Sequence, residues 1–291
     1  MRGRDHWAIA VRKPDETLHL ESHRIRSIGH RFRFLTKPGV RGVLALGQAL
    51  SIGVRALTVS ANHSVEEDKK LTPGQMAASM VVAFVLFTGV FVVGPFIGFR
   101  AFRHSVTSSF LRNILEGVVR VGLFLAYLTL IGRMREIRRV FEYHGAEHKT
   151  IAAYEHGDAL DPAAVDKYST LHVRCGTNFL LIVMVLTILV YTAFGSRGLV
   201  SGIVFRVVAI PVIAGLSYEM LRLGARHTDS RLLRALMAPG LWLQKITTKP
   251  PDHQQIEVAI SSFQELLRAE GEPVPTAASG PAGSGEPPPR L

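Results

Sequence analysis

His144, Glu147 and His148 are the residues of this 291-residue chain best suited to do chemistry. Two histidines four positions apart share one face of a helix, about a turn from each other. Both imidazoles can then hold one metal ion. The carboxylate between them can reach a water on that ion and serve as general base. Glu155 falls on the same helical stripe as His144 and His148. A second cluster, His172-Val173-Arg174-Cys175, precedes an apolar run, and Glu219 stands at the inner end of the last run. Zinc takes imidazole nitrogen, thiolate and carboxylate, usually four ligands in all. These residue types therefore imply a divalent metal cofactor, zinc by preference. A shell with one open position is catalytic, because the metal brings the pKa of its water down to about 7. A shell closed by His144, His148, His172 and Cys175 is structural. The alternative to both is a polar helix face satisfied by hydrogen bonds. Cys175 alone fits a small core residue, Glu219 can pair with Arg222 or Arg226, and His23 and His156 read as surface residues.

The elements that must position these residues are mostly apolar. The chain is 47% hydrophobic and 20% charged. Residues 76–99 and 176–196 are free of charge, and each is long enough to cross a hydrocarbon core of about 30 Å. Residues 198–219 form a third run, marked by Arg206 and Pro211. A fourth, 109–131, carries Glu116 and Arg120, whose i,i+4 spacing lets them pair. The expected fold is mainly α: a polytopic helical membrane protein of about four spans, with a small N-terminal β element and a cytoplasmic metal-site loop. Four spans put both termini on one side. The basic residues before residue 42 and after residue 221 make that side the cytoplasm, and the membrane the inner one. Arg100, Arg103 and Arg112, expected in the outer loop, run against that rule. The net charge of +11 is spread along the chain rather than gathered in a stripe. The expected partner is thus a lipid bilayer and not a nucleic acid. The single Cys175 excludes an internal disulfide framework. Residues 1–30 lack the apolar centre of a cleaved signal peptide.

Along the chain, residues 6–12 and 17–22 flank Lys13-Pro14-Asp15-Glu16 as strand, turn and strand. Residues 40–60 are apolar and glycine-interrupted, which fits a surface-lying or re-entrant element. Thr72-Pro73 has the cap-then-proline order that opens a helix. The metal motif sits on a helix over 141–157, and 257–269 read as a short amphipathic helix. Residues 270–291, rich in Pro, Gly and Ser, read as disordered. These boundaries divide the chain into 1–72, a first helix pair over 73–132, the metal-site loop over 133–176, a second pair over 177–221, a cytoplasmic region over 222–269 and a tail. No internal repeat is visible.

The segment from Arg139 to Lys149, with His144-Gly145-Ala146-Glu147-His148 at its centre, resembles the hallmark of the YqhQ-like bacterial membrane proteins. His172-Val173-Arg174-Cys175-Gly176-Thr177 resembles that family's second signature. Pro38-Gly39-Val40-Arg41-Gly42, Glu116-Gly117, Ala214-Gly215-Leu216-Ser217-Tyr218-Glu219 and Pro239-Gly240-Leu241 are similar to it as well. The resemblance implies a multi-span membrane protein and a metal-dependent enzyme, without a substrate. The H-x-x-E-H order is also the spelling of inverzincin metallopeptidases. The family usually opens with a Gly-Gly-Gln-Ala stretch running into Glu-Gly-Val-Met-Met-Arg-Gly. Met1-Arg2-Gly3 resembles the end of that element, so a start codon upstream of Met1 is expected, with a further strand that could pair with 6–12. Three functions fit the sequence: a metal-dependent hydrolase at the cytoplasmic membrane face, a non-catalytic membrane scaffold with a structural metal, and a transporter. The transporter reading rests on Glu116, Arg120 and Arg206 within apolar runs and lacks an inverted repeat.

Overall fold

A computed structural model describes residues 1–25, 37, 40–63, 72–101, 108–172, 175–194, 198–226 and 231–275. Its first element is a hairpin. β1 (His6–Arg12) pairs antiparallel with β2 (Leu18–Arg24), with Ile9 opposite Glu21. Met1 and Arg2 continue beside β1, through an Arg2 to Trp7 bridge and a Met1 carbonyl accepting from Ala8 N–H at 2.9 Å. The helices are α1 (Val40–His63), α2 (Pro73–Thr88), α3 (Gly94–Ala101), α4 (Ser109–Ile131) and α5 (Arg135–Glu155). They continue as α6 (Pro162–Asp166), α7 (Thr177–Ala193), α8 (Leu199–Arg226), α9 (Arg231–Thr247) and α10 (His253–Glu270). A π-turn over Gly89–Val93 joins α2 to α3.

Two bodies result. The polar-surfaced one packs the hairpin, α5, α6 and α10 around Ala8, Ala146, Tyr154, Val165, Ile256 and Phe263. In α10, Ile256, Ala259, Ile260, Phe263 and Leu267 recur at helical spacing and are buried. The helix starts at His253, earlier than the 257 expected, because Asp252 and Gln255 form a reciprocal capping box. Glu270, expected in the tail, closes α10 and accepts the N–H groups of Asp5 and His6 at 2.8 and 2.7 Å. The rest of the expected tail beyond residue 275, Arg103 of the expected outer loop, and Val173 and Arg174 of the second motif lie outside the described residues.

The second body is apolar outside as well as inside. Val81, Phe84, Leu86, Val118, Val208 and Val212 are all exposed. Among the described residues four helices are long and apolar enough to cross a membrane: Arg41–His63, Gly74–Arg100, Phe110–Ile131 and Leu199–Leu223. This set differs from the four runs read in the sequence. Residues 40–60 become one continuous helix, since isolated glycines weaken a helix without breaking it. The 176–196 run gives the 17-residue α7, which Gly176 opens and Phe194 closes. α1 lies along the hairpin: Arg2 Nη2 donates to Gln48 Oε1 at 2.8 Å, and the His63 ring stacks on His19 at 3.9 Å.

Charges inside the apolar body are paired. Glu116 accepts from Arg120 at 2.7 Å, as its spacing foretells, and also from Arg206 of α8 at 2.9 Å. Arg120 Nε donates further to the Phe91 carbonyl, within the π-turn, at 2.7 Å. The Arg206 guanidinium lies 3.9 Å from the Phe96 ring centre. The cluster satisfies the requirement that buried charge be matched, and it ties α3, α4 and α8 together.

Candidate metal centre

The candidate site sits where the two bodies meet. α5 supplies His144 and His148, whose rings are 4.4 Å apart at 66°. The chain beyond α6 brings in Cys175, and the C-terminal end of α9 closes the third side. His144 Nδ1 lies 2.9 Å from the Thr247 carbonyl, and His148 Nδ1 lies 2.5 Å from the Thr170 carbonyl. A carbonyl can only accept, so both Nδ1 atoms carry the proton and both Nε2 atoms face inward. His144 Nε2 is 3.2 Å from Cys175 Sγ. One ligand atom from each of His144, His148 and Cys175 lies within 4.8 Å of the others. His148 and Cys175 are only 4% and 9% exposed, so the cluster is largely closed to solvent.

Burial opposes charge on Cys175, but hydrogen bonds from His144, His148 and Thr177 outweigh it and bring the thiol down to about 5. Burial likewise works against a charged His144; the hydrogen bond and attraction of Cys175 overcome it and raise its pKa. The Glu147 charge adds to that rise. Imidazole nitrogen and thiolate are donor types that zinc accepts once the ring protons between them are released, so His144, His148 and Cys175 form a group that could hold a metal ion.

Backbone proximity makes the arrangement possible. A Cβ on Gly145 would lie 2.2 Å from the Lys249 carbonyl, so only glycine lets the end of α9 pass this close to α5. Lys249 N–H donates to the Phe141 carbonyl at 2.9 Å across that contact. A Cβ on Gly240 would lie 2.1 Å from Asn178 Oδ1. Next to it the wholly buried Gln244 clamps the second motif, donating to the His172 carbonyl at 2.9 Å and accepting its N–H at 2.8 Å.

The residues anticipated from sequence are distributed as follows. His144, His148 and Cys175 come together. His172 lies beside them, its ring 5.8 Å from His148, with Nε2 3.2 Å from Glu155. Glu155 therefore reaches the cluster through His172. Glu147 is half-buried on the adjoining side of α5 and outside the three-atom cluster. Glu219 is elsewhere: two N–H donors of Arg41 hold it, Nε at 2.6 Å, where α1 crosses α8. Sequence reading missed Gln244, Asn178 and the carbonyls of Thr170 and Thr247. The available signal was the polar pair Gln244-Lys245 inside the apolar stretch of α9; backbone carbonyls leave no mark in a sequence.

Residues 37–269 match the family model described as Protein of unknown function (DUF1385). The chain belongs to this family. The chain is 32% identical over 283 residues to "Uncharacterized protein YqhQ" of Bacillus subtilis (strain 168), covering 92% of this chain and 89% of that protein. No solved structure matches the chain. The resemblance read from the motifs thus holds at the level of family. The description of DUF1385 carries no activity, so the metal-dependent chemistry expected from that resemblance rests on the geometry of the site alone.

Proposed function

We propose that this DUF1385 protein is an integral membrane protein in which His144, His148 and Cys175 hold a zinc ion, at the centre of a hydrolase facing the cytoplasm. The observation that carries this reading is the convergence of two Nε2 atoms and a thiolate within 4.8 Å, from separate segments. Both histidines are already oriented by backbone carbonyls, the support that metal-binding imidazoles usually have. Zinc bound by three protein ligands supplies a Lewis acid with one position free for substrate or water. The proton acceptors would be the carboxylates of Glu147, on the neighbouring helix position, and Glu155, which reaches the cluster beside His148 through His172. A second reading keeps its place because of the 5.8 Å separation of the His148 and His172 rings. Rotation of His172 away from Glu155 would close a four-ligand structural shell. Complementation of a deletion strain, scored with metal content and membrane abundance, tests the choice. Glu147→Gln and Glu155→Gln together should keep metal and abundance but lose function; full complementation by the double variant removes the hydrolase and leaves the structural site.

The membrane topology follows from parity. β1 packs on α10, with Ser262 Oγ donating to the Ala8 carbonyl at 3.2 Å, and α5 packs on the same helix. Residues 6–12, 135–155 and 253–270 therefore share one side of the bilayer. An even number of crossings must separate them. α2 with α3 makes one crossing and α4 the other, while α1 lies along the hairpin at the surface. α7 and α8 make the second pair, α7 with the help of local thinning or short flanks. At the α4 to α5 corner Arg133, Arg135, Arg138 and Arg139 line an open cleft of about 410 Å³ with Glu142 and Asp252. That concentration of arginine supports the reading that the shared side faces the cytoplasm.

A further inference from the structure

A second group of metal-ligating side chains lies apart from His144, at the junction of the hairpin and α1. We propose that His19, Glu21 and His63 form a second transition-metal site, which pins the C-terminal end of α1 to β2. Their ligand atoms lie within 4.8 Å of one another. The strand period makes the first half of the site. His19, Glu21 and His23 alternate along β2 and so share one face. The Glu21 carboxylate bridges the two imidazoles, 2.6 Å from His19 Nε2 and 2.9 Å from His23 Nε2. His63 comes from the last turn of α1 and stacks on His19, with ring centres 3.9 Å apart and planes within 16°. Its Nδ1 donates to the Val59 carbonyl at 2.8 Å, which leaves the lone pair on Nε2. This is the tautomer that metal-binding histidines adopt.

Two imidazoles and one carboxylate select a borderline cation such as zinc, nickel or copper over magnesium or calcium, which take oxygen ligands. Bonds of about 2.1 Å in tetrahedral geometry put ligand atoms about 3.4 Å apart, within the present spread and reachable by side-chain rotation. All three residues are half-buried, so a water can complete the shell from outside. His23 is a supporting group: it stacks on Trp7 at 4.7 Å and holds the second oxygen of Glu21. The site is independent of the Cys175 centre. His19 and Glu21 also lie outside the residues matched by the DUF1385 model.

Cobalt(II) titration of the tag-free full chain in detergent, after chelator treatment, tests the proposal. The wild-type chain should take up a cation with the thiolate charge-transfer band of the Cys175 centre, and a second without that band. His63→Ala should lose the band-free cation and keep the band. Glu21→Gln, which leaves α1 untouched, should weaken the band-free cation by roughly tenfold or more. Cys175→Ser should do the reverse, losing the band and keeping the other cation, so failure of either centre is read separately. Absence of any band-free uptake by the wild-type chain overturns the proposal, as does unchanged uptake by both His63→Ala and Glu21→Gln. Either result leaves a hydrogen-bonded polar cluster with no cation.

Discussion

At the scale of single residues, Cys175 decides the character of the candidate centre. Its thiol, brought down to about 5 from an ordinary 9.0, is ionised at neutral pH. Because the folded value is the lower one, ionisation stabilises the metal-free fold fully above the unfolded value and not at all below the folded one. His144, with its raised pKa, contributes in the opposite sense: fully below 6.5, and lost as pH rises through its folded value. Both contributions come from the one Cys175–His144 contact, so the stability advantage of metal-free wild type over Cys175→Ser should shrink as pH falls toward about 5, where the thiolate that raises His144 is itself neutralised. Thermal melts of the two proteins between about pH 5 and 9 check this, and a pH-independent difference contradicts the thiolate. Glu116 makes a different case. Glu116→Gln keeps the shape but leaves Arg120 and Arg206 buried without a counter-charge. A loss of about 3–5 kcal/mol is expected, read as lower membrane abundance or melting temperature. An unperturbed melt would mean that water reaches the cluster.

At the scale of elements, the centre depends on how closely α9 approaches α5. Gly145→Ala drives a methyl against the Lys249 carbonyl and displaces the Thr247 carbonyl that orients His144. Destabilisation of about 1–3 kcal/mol is expected, with weaker zinc binding. Gly53→Ala on α1, where a Cβ meets nothing within 4 Å, should be neutral or slightly stabilising and is the control. Equal melting temperatures and zinc affinities for the two variants would show that the contact does not matter. The histidine pair was legible in the sequence because its i,i+4 spacing is a helical property, and the hairpin because Lys13-Pro14-Asp15-Glu16 is turn chemistry. The partner of that helix was not legible. Nothing in Thr247-Thr248-Lys249 announces that the Thr247 carbonyl faces an imidazole, and only the missing Cβ of Gly145 hints that a backbone passes there. Glu219, at the inner end of the last apolar run, read as a candidate ligand; the long-range Arg41 contact, which holds it away, has no local signature.

At the scale of the whole molecule, the hairpin, α5 and α10 form one packed body, and the proposed topology rests on that packing more than on hydropathy. α1 is apolar enough to span, yet its contacts with Arg2 and His19 lay it along the hairpin. Cysteine labelling from outside intact cells should leave probes at Gln48, Gly157 and Glu257 unmodified while labelling one at Gly198. Labelling of Gln48 from outside would take α1 off the cytoplasmic face and contradict the proposed topology. Zinc-edge X-ray absorption on the tag-free full chain, purified in detergent, shows whether His144, His148 and Cys175 hold a metal. The expected result is zinc with one sulfur and two imidazole nitrogens in its inner shell, and loss of the sulfur contribution in Cys175→Ser. A zinc-reconstituted chain whose metal shows no sulfur neighbour, or one that retains no zinc at all, would contradict it.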